Sequence, residues 1–300
     1  MPSFTNGNNG DSHDLELAWS VLDPNIYDDE DTEQHKAHRD EVLQKPSIQH
    51  YRHATGRWGA ALESFSPMWF AICISSGGLA VLLSEFPYPA HWLRIIASIL
   101  YVLELILFVT FLIIMIARWT IYPHIAVRRA AKDPNELGAY AVPPIALLTL
   151  SALTATQVST TSWGGHAFAV VAYALWWIGV VWIFTTAVTV STVLFYTGNQ
   201  SDHTLTPVLF MAPVGLATAG VEAATVCLRG VGLQAHQIGP ALVVGYFATG
   251  IAMFMAILLY TLFFHRLLSS GWPPAAVRPG MFILVGLCIV LRRYQRPTDL

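Results

Sequence analysis

Glu104 and Glu222 are carboxylates set inside long apolar runs, in the stretches YVLELILF and AGVEAATV. An ionised side chain at the centre of a bilayer costs at least about 2.5–3.5 kcal/mol, so an acid there points to a proton relay, an ion path or a bond to a neighbouring helix. Glu104 lies in an unbroken greasy segment and is expected to bond a neighbouring helix or to sit protonated. Glu222 shares its segment with Pro213, Gly215, Thr218 and Gly220, which makes it the candidate for gating or proton coupling. Other chemistry finds little footing. The pairs His35/His38 and His50/His53 have a spacing a metal accepts, but no cysteine or further ligand stands near them, so no metal is expected. Cys73, Cys227 and Cys288 fall in apolar runs and read as small buried hydrophobes. His124, His166, His203, His236 and His265 are scattered one per loop, without the cluster or nucleophile motif of a membrane enzyme. Neither catalysis nor a cofactor is expected. A retinal protein is excluded too, because no lysine follows Lys132.

The elements that position these residues follow from composition. Of 300 residues 54% are apolar and 12% charged, with mean hydropathy +0.51. Soluble domains run at about 45–50% apolar and about 25% charged. Twelve of the 19 acids lie in residues 1–63. The pattern predicts an all-α polytopic membrane protein: a polar tail over 1–60, a transmembrane domain over 61–291 and a short basic tail over 292–300. The tail contains no apolar segment of signal-peptide type, and its acidic block Asp28 to Glu33 reads as solvated chain. The partners expected are the lipid bilayer and a small solute, with no nucleic acid.

A bilayer core of about 30 Å takes roughly 20 apolar residues per helix. Six spans are predicted: Phe65–Leu83, Leu93–Ala117, Tyr140–Thr156, Ala167–Tyr196, Leu205–Leu228 and Ile238–Phe264. A seventh begins at Pro279 and meets Arg292-Arg293; residues 279–291 reach only about 20 Å at about 1.5 Å each, so the chain is expected to be truncated. Basic residues orient the bundle. Eleven (Lys36, Arg39, Lys45, Arg52, Arg57, Arg118, Arg128, Arg129, Lys132, Arg266, Arg278) fall on one side, and Arg94 and Arg229 on the other. That asymmetry predicts a cytoplasmic N-terminus. The sequon Asn199-Gln200-Ser201 is then cytoplasmic and unglycosylated.

Proline recurs near the start of alternate helices: Pro67, the pair Pro143 and Pro144, Pro213 and Pro279. The spacings of 76, 70 and 66 residues describe a repeating helical hairpin, a common signature of transport proteins. The odd helices also concentrate small residues, including Gly77, Gly78, Gly215 and Gly220, while the second helix has no Gly or Pro from Leu93 to Ala117. Broken or thinned helices are tolerated at membrane depth where protein or water serves the backbone. The odd helices are therefore expected to surround a central pore, with the even helices shielding them. At any single glycine, close helix packing is the competing explanation. On this reading a leucine at Gly78 or Gly215 narrows the bore, whereas one at Ala97, on an even helix, is silent.

The stretch FSPMWFAICISSGGLAVLL resembles the tellurite-resistance/dicarboxylate transporter family, through Phe65, Pro67, Trp69, Phe70, Ala71, Gly77 and Gly78. ALWWIGVVW (Ala174 to Trp182) is similar to the family's fourth helix, with Gly179 in place of the usual acid. APVGLATAG (Ala212 to Gly220) and RPGMFILVG (Arg278 to Gly286) resemble its fifth and seventh. The resemblance implies ten helices in five hairpins, of which this chain covers about six and a half, with the odd helices inside. It implies a path lined by Pro67, Phe70, Gly77, Gly78, Pro143, Pro144, Pro213, Gly215 and Gly286. It further implies a small organic or inorganic anion as cargo, C4-dicarboxylates such as malate first and sulfite efflux as the alternative. A homo-oligomer, trimeric in resembling members, and a plasma-membrane location are also implied. A truncated, non-transporting membrane protein is the remaining alternative. Without a dense basic site, the anion would be drawn by helix-terminal N–H groups and backbone freed at proline breaks.

Overall fold

The computed structural model describes residues 57–84, 86, 91–161, 164–197, 206–271 and 278–283. By its contacts the chain divides into two units, Met1–Thr55 and Gly56–Leu300, and all the described residues belong to the second. The tail with its histidine pairs, the sequon, Gly286, Cys288 and the terminal arginines lie outside the described residues.

Those residues are helical, with no strand among them. Six helices are long and apolar enough to cross a membrane: span 1 (Pro67–Ser84), span 2 (His91–Ile121), span 3 (Pro134–Val158), span 4 (Gly165–Leu194), span 5 (Pro207–Arg229) and span 6 (Ala235–Ser269). They match the six runs predicted, except that span 3 starts six residues earlier. A short helix, Arg57–Ser64, precedes span 1, and another, Pro123–Lys132, joins spans 2 and 3.

The prolines start these helices instead of breaking them. Span 1 opens on a 3-10 turn at Pro67, span 3 on a helical turn at Pro134 and span 5 on a 3-10 turn at Pro207. Each follows a residue suited to a helix N-cap: Ser66, Asp133 and Thr206. The Ser66 side chain accepts from the Met68 N–H, and Asp133 from the Asn135 N–H. Proline suits the first helical position because its missing N–H has no intrahelical acceptor there anyway. The repeat therefore runs through Pro67, Pro134, Pro207 and Pro279, spaced 67, 73 and 72 residues. Pro143, Pro144 and Pro213 are second prolines deeper in the same entries. Pro143 and Pro144 occupy the first turn of Val142–Leu153, where they remove two N–H donors. The interior proline is Pro240, on span 6.

Span 3 is the centre of the bundle, touching spans 1, 2, 4 and 5. Of its span-length stretch 94% is buried, against 61% for span 5 and 17% for span 2. Span 1, at 28%, is no more enclosed than spans 4 and 6. Spans 3 and 5 are thus enclosed by the bundle, while span 1 turns one face outward. Its buried side carries Phe70, Cys73, Gly77 and Ala80; its exposed side carries Trp69, Ile72, Ser75, Gly78, Leu79 and Leu82. Two cores fill the interior. One joins spans 3 to 6 around Trp176, whose indole donates to the Ala219 carbonyl at 3.0 Å. The other joins spans 1 to 3 around Phe70, Phe108 and Met115.

Candidate functional site

Span 2 is greasy on every face but one. Its buried residues, Leu93, Ala97, Glu104, Phe108, Met115 and Arg118, recur every three, four or seven positions, which puts them on one stripe facing the bundle. Span 1 packs most closely along that stripe, and the stripe's polar groups reach span 3, so that spans 2 and 3 share a polar seam. Along the seam the two helices keep a single antiparallel register through four polar contacts. As span 2 runs 97, 101, 104, 118, span 3 runs back through 157, 154, 149, 136.

At one end, Gln157 Nε2 donates to the Ala97 carbonyl at 3.3 Å, and the Tyr101 and Thr154 hydroxyls lie 3.2 Å apart. Thr154–Val158 is a π-helical turn, a local widening often found at functional sites. In the middle, Glu104 is fully buried and its Oε1 lies 2.8 Å from Thr149 Oγ1. Thr149 Oγ1 also lies 2.9 Å from the Ala146 carbonyl. A single hydroxyl proton cannot serve both acceptors. The hydroxyl donates to one of them at a time, and Glu104 Oε2 has no hydrogen-bond partner among the described residues. A Cβ on Gly77 of span 1 would sit 2.5 Å from both Glu104 oxygens. The expectation that Glu104 bonds a neighbouring helix is met by span 3, and the glycine opposite makes room for it.

At the other end, Arg118 is 1% exposed and its Nη1 donates to Glu136 Oε1 at 2.8 Å. Arg118 thus belongs to the last turn of span 2, not to the loop expected from the sequence. Among the described residues its Nε and Nη2 have no hydrogen-bond partner, and the buried hydroxyl of Tyr140 has no acceptor. The Tyr140 ring packs edge-on against Trp119, with centroids 5.9 Å apart. Nearby, Arg129 Nη1 donates to the Glu63 carbonyl at 2.8 Å, with Nη2 3.7 Å from Glu63 Oε1.

The residues expected on a path are distributed unevenly. Pro67, Pro143, Pro144 and Pro213 are buried at helix entries. Phe70 faces span 2, edge-on to Phe108 at 5.7 Å and Phe111 at 5.8 Å. Gly77 faces Glu104. Gly215 is closed in by Ile183 of span 4 and Ile145 of span 3, and Gly220 by Gly245 and Thr249 of span 6. Gly179, at the position of the family's acid, meets Leu148 of span 3. At these glycines close packing wins. Gly78 differs, because a Cβ there meets nothing within 4 Å. Glu222 is buried on span 5. Ala97, expected to be silent as an even-helix position, is buried against span 3, so a leucine there would clash. No group of three or more potential metal ligands occurs among the described residues.

Sequence reasoning passed over Arg118, Tyr140, Thr149 and Gln157. Their signal was present in part: the seven-residue seam of span 2 carries both Glu104 and Arg118.

Six membrane-length helices, packed with one of them at the centre, define a polytopic membrane protein. The chain belongs to the voltage-dependent anion channel (SLAC1) family, whose model matches residues 64–291. It is 24% identical over 225 residues to a malic acid transport protein of Schizosaccharomyces pombe, covering 75% of this chain and 50% of that protein. It is 25% identical over 231 residues to the sulfite efflux pump SSU1 of Candida albicans, covering 75% and 46%. To the sulfite efflux pump SSU1 of Arthroderma otae it is 27% identical over 249 residues, covering 78% and 64%. The chain spans about half the length of the first two of these relatives.

Proposed function

We propose that this chain moves small anions across a membrane, C4-dicarboxylates such as malate first, along a path beside the exposed face of span 1. The observation that carries this reading is the contrast between adjacent glycines. Gly77 is filled by a neighbour, whereas Gly78 opens onto free space beside Ser75. Packing accounts for the first glycine and not for the second. The half-buried Thr218 and Thr225 give span 5 a similar small, polar stripe. Relatives named for malate and for sulfite support an anion as cargo, and sulfite is the second reading.

The test is uptake and efflux of malate and sulfite, measured side by side in a host lacking its own carriers. Gly78→Leu should cut flux several-fold with membrane insertion intact, while Val243→Leu, on the exposed face of span 6, should leave it unchanged. Equal loss from both would remove the path from span 1. Flux of sulfite alone would reassign the cargo, and flux of neither would make the chain a non-transporting membrane protein. Glu222→Gln should remove the pH dependence of flux if that acid couples protons. The proposed location is the plasma membrane with the N-terminus cytoplasmic; a gel shift at Asn199 removed by endoglycosidase would reverse that orientation.

A further inference from the structure

We propose that Arg118 and Tyr140 form a binding site for a small oxyanion or carboxylate, at the end of the bundle where spans 1, 3 and 5 begin. Guanidinium N–H groups are arranged as planar forks, and the Nε–H and Nη2–H point the same way from one edge. That edge matches two oxygens carried on a single carbon, sulfur or phosphorus atom. In this protein Glu136 takes only Nη1, on the far side of the group. The two-pronged edge is left without an acceptor although the residue is 1% exposed. Buried donors without partners are rare, and each calls for an occupant. The Tyr140 hydroxyl likewise finds no acceptor among the described residues, and its ring packs edge-on against Trp119, the residue next to Arg118.

The local backbone offers little competition. The helix Val142–Leu153 begins two residues after Tyr140, and its positive end would ordinarily present N–H groups to an anion. Pro143 and Pro144 remove two of those donors. An anion at this end is therefore held by side chains. The Glu136 carboxylate does not fill the fork; by pairing with Nη1 it holds the guanidinium plane in place and tempers its charge. A site of this kind binds reversibly, as a transport path requires. The site deepens the anion-transport reading and rests on it for its role, though not for its chemistry.

The experiment uses the full chain, in detergent and in neutral-lipid vesicles, with malate, sulfite, inorganic phosphate and chloride as probes. The two-oxygen anions should raise the thermal unfolding midpoint of the wild type more than chloride does, because a spherical ion gains less from a planar fork. Arg118→Lys keeps the charge and loses the fork. It should abolish that difference and raise the KM for the transported anion by roughly tenfold or more, the range expected on losing a charge-assisted hydrogen bond. Tyr140→Phe removes one hydroxyl and should raise KM by a smaller factor with kcat unchanged; it serves as the test if Arg118→Lys fails to fold. A folded Arg118→Lys with wild-type KM and wild-type anion shifts would overturn the site, leaving transport itself intact. Anion shifts lost in Arg118→Lys, in a wild type that transports nothing, would uphold the site and sink the transport reading. A shift given by anionic-lipid vesicles and by no free anion would assign the fork to a lipid headgroup and overturn the proposal.

Discussion

Spans 2 and 3 meet through hydrogen bonds and an ion pair, whereas spans 5 and 6 meet where side chains are missing. On the first seam, Tyr101, Glu104 and Arg118 each reach a polar partner on span 3, and long side chains fill the space between the helices. On the second, Gly220 and Ala223 face Gly245 and Thr249, and an added Cβ at Gly220 would lie 2.8 Å from the Gly245 carbonyl oxygen. In lipid neither seam gains from the hydrophobic effect, since hydrocarbon surrounds both helices before and after they meet; close packing and hydrogen bonds must hold them together. The small-residue seam has little room to give, because Gly220 is hemmed in by the Thr249 side chain and the Gly245 carbonyl, and Gly245 by the Ala223 methyl. The polar seam has more freedom, because its neighbours are the ends of side chains that can rotate.

The comparison can be broken by substitution, and the largest effect belongs to the small-residue seam. Gly220→Val should cost about 3 kcal/mol or more, the upper range for overpacking, and should appear as loss of monodisperse protein on size-exclusion chromatography. A normal elution profile would mean that the seam yields. Next comes Gly77→Ala, whose methyl would press on the Glu104 carboxylate. It should lower stability by about 1–3 kcal/mol, read as a lower thermal midpoint. Glu104→Ala in the same chain should recover much of that loss, since the clash and its partner disappear together. Additive losses in the double variant would show that the two residues do not meet. Thr149→Val keeps the shape and removes the hydroxyl that joins Glu104 to Ala146; about 0.6–2 kcal/mol is expected for a polar bond between membrane helices. Tyr101→Phe should be mildest, about 0.6 kcal/mol, because Tyr101 is only half-buried. If the last two exceeded Gly220→Val, the roles of the two seams would be reversed.

The six spans were legible because a bilayer demands apolar runs of fixed length, and residues such as Leu93 to Ala117 supply one without interruption. The start of span 3 was less so. Its first turn, PNELGA, is polar enough to read as loop, yet Asp133-Pro134 is a helix-start signal of the same kind as Ser66-Pro67 and Thr206-Pro207. Matching those three pairs would have set the repeat in its observed register.

By itself the sequence determined which segments enter the membrane, that alternate helices open on proline, and that ionisable groups in the spans are few. Those properties depend on composition and local backbone geometry, which a chain carries wherever it goes. The tertiary structure decided what each small or polar residue faces. Gly77 and Gly78 are neighbours in sequence, yet about 100° of helical rotation turns one onto Glu104 and leaves the other open. Glu104 and Arg118 sit on one stripe of span 2, yet the first meets a threonine hydroxyl and the second a glutamate carboxylate. Each outcome depends on which atom of another span arrives opposite, and that follows from how the helices cross in three dimensions.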